Sequence, residues 1–171
     1  MKCIDTTSWK KFQIGSLFTV SRPKARSVLK YDDGSVPFVA SGNFNNGIIK
    51  WCKPFDDFDF DAGNCITVSP LNGFAFYQKD NFLGRGGAGS AILILRNPNL
   101  TELSGLFLST VIRRALTKYC YADQLNNESI IDEYILLPVN STNEPDWNFM
   151  ENYMRNVLKD ADITFSILSS I

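Results

Sequence analysis

Seven short apolar runs recur along this chain: 17-LFTV-20, 36-VPFVA-40, 47-GIIKWC-52, 64-NCITVS-69, 73-GFAFY-77, 91-AILIL-95 and 130-IIDEYILL-137. They are rich in β-branched and aromatic residues, and turn-forming clusters separate most of them (34-GSVP, 42-GNFNNG, 63-GN, 70-PLNG, 97-NPN). Runs of this length, bounded in this way, are strands. None approaches the roughly 18 apolar residues that a membrane-spanning helix needs. The 171-residue length is that of one domain with an appendage. The opening MKCIDTTSWKKF has no apolar stretch of the secretory kind. The cysteines at 3, 52, 65 and 120 form no C-x-x-C pair and no metal-ligand spacing. They are expected to be buried thiols in a reducing cytoplasm, with no metal bound.

Two stretches carry a helical period instead. In 102–119, Leu103, Leu106, Phe107, Val111, Ala115 and Leu116 recur at helical spacing. Glu102 at the start and Arg113, Arg114 and Lys118 at the end suit the helix dipole. A second helix is expected over about 145–168, with Pro145 in its first turn, where a missing N–H costs nothing. Trp147, Met150, Met154, Val157, Ala161, Thr164 and Leu168 step along it by alternating threes and fours. Such a helix extends about 36 Å, longer than a small domain needs. Part of its seam is therefore expected to pack on another helix, from this chain or a second one; the alternative is a plain amphipathic helix lying on its own core. The fold class expected is mixed α/β (α+β), a strand-rich domain over 1–140 followed by a long helical segment over 141–171.

The chain has no histidine, which removes the commonest general base and the commonest metal ligand. Gly84, Gly86 and Gly89 fit G-x-G-x-x-G. A dinucleotide loop, however, needs a helix to open where this sequence continues as the strand-like AILIL. A kinase-type loop needs a lysine on the next strand, and none stands between 80 and 117. Asp57, Asp59 and Asp61 resemble the start of a calcium loop, but its glycine and its bidentate glutamate are missing. The alternation of Asp with Phe in 56-DDFDFDAG-63 reads better as an edge segment with one wet face. No lysine has an acid two residues before it, as a metal-dependent nuclease strand often has, and no Pro-Pro pair is available for an amino-methyltransferase motif. No catalytic residue is assigned, and the chain is expected not to be an enzyme.

Recognition chemistry remains. Residues 1–30 carry Lys2, Lys10, Lys11, Arg22, Lys24, Arg26 and Lys30 against Asp5 alone, while the rest of the chain holds ten bases and seventeen acids. A basic stretch on an acidic body can bind an anion locally, but it is a poor general DNA clamp. Arg22, Lys24 and Arg26 suit phosphates. Ser41, Asn43, Asn45, Tyr77, Gln78, Lys79 and Arg85 lie in or beside turn-rich segments; Asn and Gln can pair with adenine, and Arg and Lys with guanine. The asparagines also suit turns, so for Asn45, Asn46 and Gly47 both roles stay open. The glycines of the 84–89 segment would bend the chain and bring its backbone close to DNA, with Arg85 the long donor among them.

Four segments taken in order, 9-WKKFQIGSLFTV-20, 36-VPFVASGNFNNGI-48, 63-GNCITVSPLNGFAFYQ-78 and 134-YILLPVNSTNEPDWNFMENYM-154, resemble the target recognition domain of restriction–modification specificity (S) subunits. Type I systems and BcgI-like Type IIB enzymes both have such subunits. The resemblance runs nearly end to end, and the W-x-x-F-x-I-G-x-L-F opening and the entry into the last helix are its most specific pieces. It implies a domain that reads a short half-site in double-stranded DNA, followed by a helix that docks methyltransferase subunits. The methyl donor S-adenosylmethionine would sit on those partners and no cofactor on this chain; a restriction or translocase subunit would complete the complex. A full subunit carries two recognition domains and two helices, so this chain is either a half-size subunit that homodimerises or one half of a longer one. Trp147, Met150, Met154, Val157, Ala161 and Leu168 are the expected partner face of the helix. The rival expectation is a protein-interaction scaffold that does not bind DNA.

Overall fold

A computed structural model describes residues 4–56, 59–87, 91–120 and 123–169. In chain order the strands and helices are β1 (Lys10–Gln13), α1 (Ile14–Leu17), β2 (Thr19–Ser21), β3 (Asp33–Val39), β4 (Ile48–Cys52), β5 (Cys65–Val68), β6 (Ala75–Gln78), β7 (Leu83–Gly84), β8 (Leu93–Arg96), α2 (Glu102–Ala115), α3 (Asn127–Ile131), β9 (Tyr134–Leu137) and α4 (Trp147–Leu168). The fold is mixed α/β, with a long C-terminal helix, as the run pattern implied.

The strands form three sheets. A four-stranded antiparallel sheet runs in the order β2-β8-β5-β6, and a three-stranded sheet in the order β4-β3-β7, with β3 and β7 parallel. β1 and β9 pair with each other, joining Lys10 to Leu137 and Gln13 to Tyr134. β5, CITV, is buried at every position, as expected of a β-branched central strand covered on both faces. The main core gathers Ile66, Val68, Leu93 and Leu95 of the larger sheet with Phe107, Leu108 and Ile112 of α2 and Ile135 and Leu137 of β9.

α2 is capped at both levels that its sequence allows. The Thr101 side chain accepts from the Ser104 amide at 3.3 Å, and the Ser104 hydroxyl accepts from the Thr101 amide at 2.9 Å. The helix crosses β6 closely because residue 105 is glycine: a Cβ there would clash with the edge of the Tyr77 ring. α2 ends at Ala115, so Lys118 lies beyond it and pairs instead with Glu133 at 2.9 Å. The run 130–137 also divides: Ile130 and Ile131 close α3, and only Tyr134 onward is strand.

α4 is 22 residues long, about 33 Å. Pro145 stands before it rather than in its first turn. Asp146 does the capping, accepting from the Phe149 amide at 2.9 Å. The first turns pack on the domain itself. Met150 is fully buried in the main core, Trp147, Tyr153 and Met154 pack against it, and Trp9 lies between the rings of Phe107 and Phe149. Met150 is therefore not available as a partner face, because the core already covers it; Trp147 and Met154 keep part of their surface open. Farther on, Leu158, Ile163, Phe165 and Leu168 are exposed, and Val157 and Ala161 half-buried. Among the described residues no helix is long and apolar enough to cross a membrane. Cys52 and Cys65 are buried as expected; Cys120 is exposed, contrary to expectation, because it follows α2 in a surface turn. Cys3 lies outside the described residues.

Candidate nucleic-acid interface

Three connections meet at one end of the sheets: the arm 22–32 between β2 and β3, the loop 40–47 between β3 and β4, and the segment that follows β7. The Arg85 amide donates to the Val39 carbonyl at 2.8 Å, which ties the third connection to the root of the second. Gly84 and Gly86 lie against the arm. A Cβ on Gly84 would meet the Pro23 side chain at 2.8 Å, and one on Gly86 would clash with the carbonyls of Pro23 and Lys24. The close backbone approach of Gly84 and Gly86 is made to the chain's own arm. Gly89 lies outside the described residues.

Arg26 stands beneath this junction. Its side chain is only 2% exposed. Its Nε donates to Asp59 Oδ1 at 3.1 Å, and its Nη1 to Asp61 Oδ2 at 2.7 Å and to the Gly84 carbonyl at 3.2 Å. Asp61 Oδ2 also accepts from the Gly84 amide at 3.0 Å, and Asp59 Oδ2 from the Tyr31 hydroxyl at 2.8 Å. A guanidinium taken out of water is tolerated when carboxylates meet it with good geometry. Burial alone would raise the Asp59 carboxyl, but bonds from Tyr31, Arg26 and the Phe55 amide hold it below the ordinary carboxylate range. Burial, together with the neighbouring Asp59, pushes the Tyr31 hydroxyl up to about 12. Arg26 therefore does not serve as a phosphate contact; it pins the arm to the sheet. The acidic segment points inward at Asp59 and Asp61 instead of forming a wet edge, and Asp57 lies outside the described residues.

A second hydrogen-bond network, buried at Gln78 and exposed at Asn46, holds the 40–47 loop. Gln78 Nε2 donates to the Asn46 carbonyl and to Thr67 Oγ1, both at 3.0 Å. Asn46 Nδ2 donates to the Tyr77 carbonyl and to Gln78 Oε1, both at 3.1 Å. Gln78 is 3% exposed and Tyr77 8%. The Tyr77 ring packs on Gly105, and its hydroxyl donates to Asn64 Oδ1 at 3.0 Å. Neither residue can reach a base. The sequence places both at the surface; in the fold, α2 covers one face of β6 and the loop covers the other.

The remaining expected residues are at the surface. Lys24, Asn43 and Asn45 are exposed, and Arg85 and Ser41 half-buried. Arg22 is exposed, with its Nε donating to Asn127 Oδ1 at 2.9 Å. Lys79 is exposed but pairs with Glu102 at 2.9 Å at the start of α2, off the loop junction. Asn45 and Asn46 adopt left-handed backbone (φ 49° and 53°), so the turn role is real for both. Asn45 Nδ2 donates to the Ile48 carbonyl at 3.0 Å, while the Asn43 side chain stays at the surface. The loop also presents Phe44, 71% exposed, which a search for polar base readers passes over. Its signal in the sequence is a lone aromatic inside GNFNNG. Among the described residues no group of three His, Cys, Asp or Glu side chains is placed to hold a metal ion.

Comparison with known proteins bears on this arrangement. The family model of the Type I restriction modification DNA specificity domain matches residues 7–163. The chain is 28% identical over 158 residues to the Type II restriction enzyme BgcI specificity subunit S.BcgI of Heyndrickxia coagulans, covering 90% of this chain and 45% of that protein. The S subunit of a Type I restriction–modification system from M. genitalium superposes with a TM-score of 0.56 at 12% identity, covering 96% of this chain and 43% of that one. The HsdS subunit from Thermoanaerobacter tengcongensis gives 0.56 at 14% identity, covering 94% and 40%. A structure of the type I R-M system, solved for its assembly and conformational transition, gives 0.60 at 13% identity, covering 98% and 43%. These structures share the fold. The chain spans less than half the length of each of these relatives.

Proposed function

This chain belongs to the family of Type I restriction modification DNA specificity domains, and from that premise we propose that it reads a DNA half-site through the loop junction and delivers partner subunits to it. The observation that carries this reading is the convergence of three connections, with Lys24, Asn43, Asn45 and Arg85 on the outside and Arg26 and Gln78 fixing the loops from beneath. Lysine and arginine suit phosphates and guanine, and asparagine amides suit adenine. Reading is the whole of its chemistry: methyl transfer and its donor, S-adenosylmethionine, belong to the partner methyltransferase. A mobility-shift assay at stated salt, with and without methyltransferase subunits, tests the proposal. Sequence-selective binding is expected; sequence-independent binding, or none even with the partner, overturns it.

The outer half of α4 supports a docking role. Leu158, Ile163, Phe165 and Leu168 are exposed there, beside the half-buried Val157 and Ala161. A second helix, from another copy or from a second half of a longer subunit, or a methyltransferase subunit, would cover the Leu158, Phe165 and Leu168 side; Ile163, five residues from Leu158 and from Leu168, faces about 140° away. Val157→Asp with Leu168→Asp should abolish association in sedimentation without lowering the melting temperature. A variant that stays associated removes the docking role.

A further inference from the structure

Phe44 is the one apolar residue in the polar stretch 41–46, and it is 71% exposed. A single exposed phenylalanine is by itself ordinary on a protein surface. Here the tip is fixed from below. The Gly47 amide donates to the Phe44 carbonyl at 2.9 Å, and the Ala40 amide to the Gly47 carbonyl at 2.9 Å. Asn46 is bonded to Tyr77 and Gln78, and Gln78 bonds back to the Asn46 carbonyl. Asn45, Asn46 and Gly47 follow one another at φ 49°, 53° and 77°. Gly47 adopts this conformation freely, but two consecutive left-handed asparagines persist because the surroundings over-determine them, and such backbone gathers at functional sites. The presented side chain is an aromatic ring, between the surface amides of Asn43 and Asn45 and on the loop whose root joins the Arg85 connection.

We infer that Phe44 is a base-contacting residue, whose ring packs on the apolar surface of the bases in the duplex that the loop enters. The inference rests on the DNA reading above and adds to it a salt-independent anchor. An aromatic ring against bases contributes through stacking or wedging and neutralises no phosphate, so it leaves no trace in the salt dependence of binding.

The test uses the full chain with its methyltransferase partner, and as probe the duplex that the wild-type protein enriches from a randomised-core library. Phe44→Ala should weaken binding about tenfold or more, leave the slope of log affinity against log salt unchanged, and leave the melting temperature unchanged. Phe44→Trp should restore affinity. Two further arms identify the contact. A rise in 2-aminopurine fluorescence at one step marks insertion between bases; a loss of affinity on replacing one thymine by uracil marks a methyl contact. Wild-type affinity in Phe44→Ala overturns the inference and leaves the DNA reading standing, as does a changed salt slope. Weakened partner association with intact DNA affinity reassigns Phe44 to a protein contact. If the wild-type protein enriches no duplex, the DNA reading falls and this inference falls with it.

Discussion

Lys24 and Arg26 stand two residues apart in the basic stretch SRPKAR, yet one is exposed and the other has a side chain 2% exposed between two aspartates. The same division runs through the whole loop end. A floor of Arg26, Asp59, Asp61, Thr67 and Gln78 directs its hydrogen bonds to other protein groups, while a rim of Lys24, Asn43, Phe44 and Arg85 faces outward in whole or in part; the exposed Asn45 and Asn46 join the two, bonding down to Ile48, Tyr77 and Gln78. Polar chemistry of one kind holds the loops, and the same chemistry stands above it at the surface.

Breaking the floor should cost the most. Arg26→Ala leaves two largely buried carboxylates without their cation, and should lower stability by about 3 kcal/mol in denaturant unfolding. A loss below about 1 kcal/mol would mean that water reaches Asp59 and Asp61 freely. Gln78→Ala removes the clamp on the 40–47 loop and should cost about 1–3 kcal/mol, because the Asn46 carbonyl loses its Gln78 donor. Hydrogen exchange should quicken at Gly47 and Ala40; unchanged exchange would show that the turn holds itself.

The floor also sets a pH range. Asp59 is held below its ordinary value of 3.8, so its contribution is present above that value and is lost as pH falls through the lower folded one. Tyr31 is raised from 10.0 to about 12, so its contribution is complete below pH 10 and is lost as pH rises toward 12. Tyr119, raised to about 12 by burial and by its bond to Glu133, adds to the alkaline loss. Thermal unfolding should show a smaller alkaline loss in Tyr31→Phe than in wild type, and an equal loss would clear Tyr31 of the role. The smallest stability effect belongs to the rim. Lys24→Ala with Arg85→Ala should move stability by no more than about 0.5 kcal/mol, yet lower the salt slope of DNA binding by about 2. An unchanged slope would remove both from the phosphate-contact set.

The strands were legible because β-branched runs such as 64-NCITVS-69 and 91-AILIL-95 sit between turn residues, and turn chemistry is local. The glycine loop was legible for the same reason: a strand follows it where a nucleotide site needs a helix. Tyr77 and Gln78 were not. Neighbours on a strand point to opposite faces, and an end-of-strand glutamine looks like surface until a loop is known to lie over it. Nothing local distinguishes Arg26 from Lys24 either, since Asp59 and Asp61 arrive from 33 and 35 residues away.

α4 shows where the two kinds of information divide. The three-and-four spacing of Trp147 to Leu168 by itself determined a long helix with one apolar stripe, because side-chain direction in a helix repeats with its period. Which part of that stripe stays open was decided only by tertiary structure. α2 is 14 residues long and α4 is 22, and the core reaches as far as Met150, Tyr153 and Met154. Beyond that point Val157 and Ala161 are only half-buried and Leu168 is exposed. Spacing sets the face of a helix, and only the placement of its neighbours sets how far along that face the burial extends.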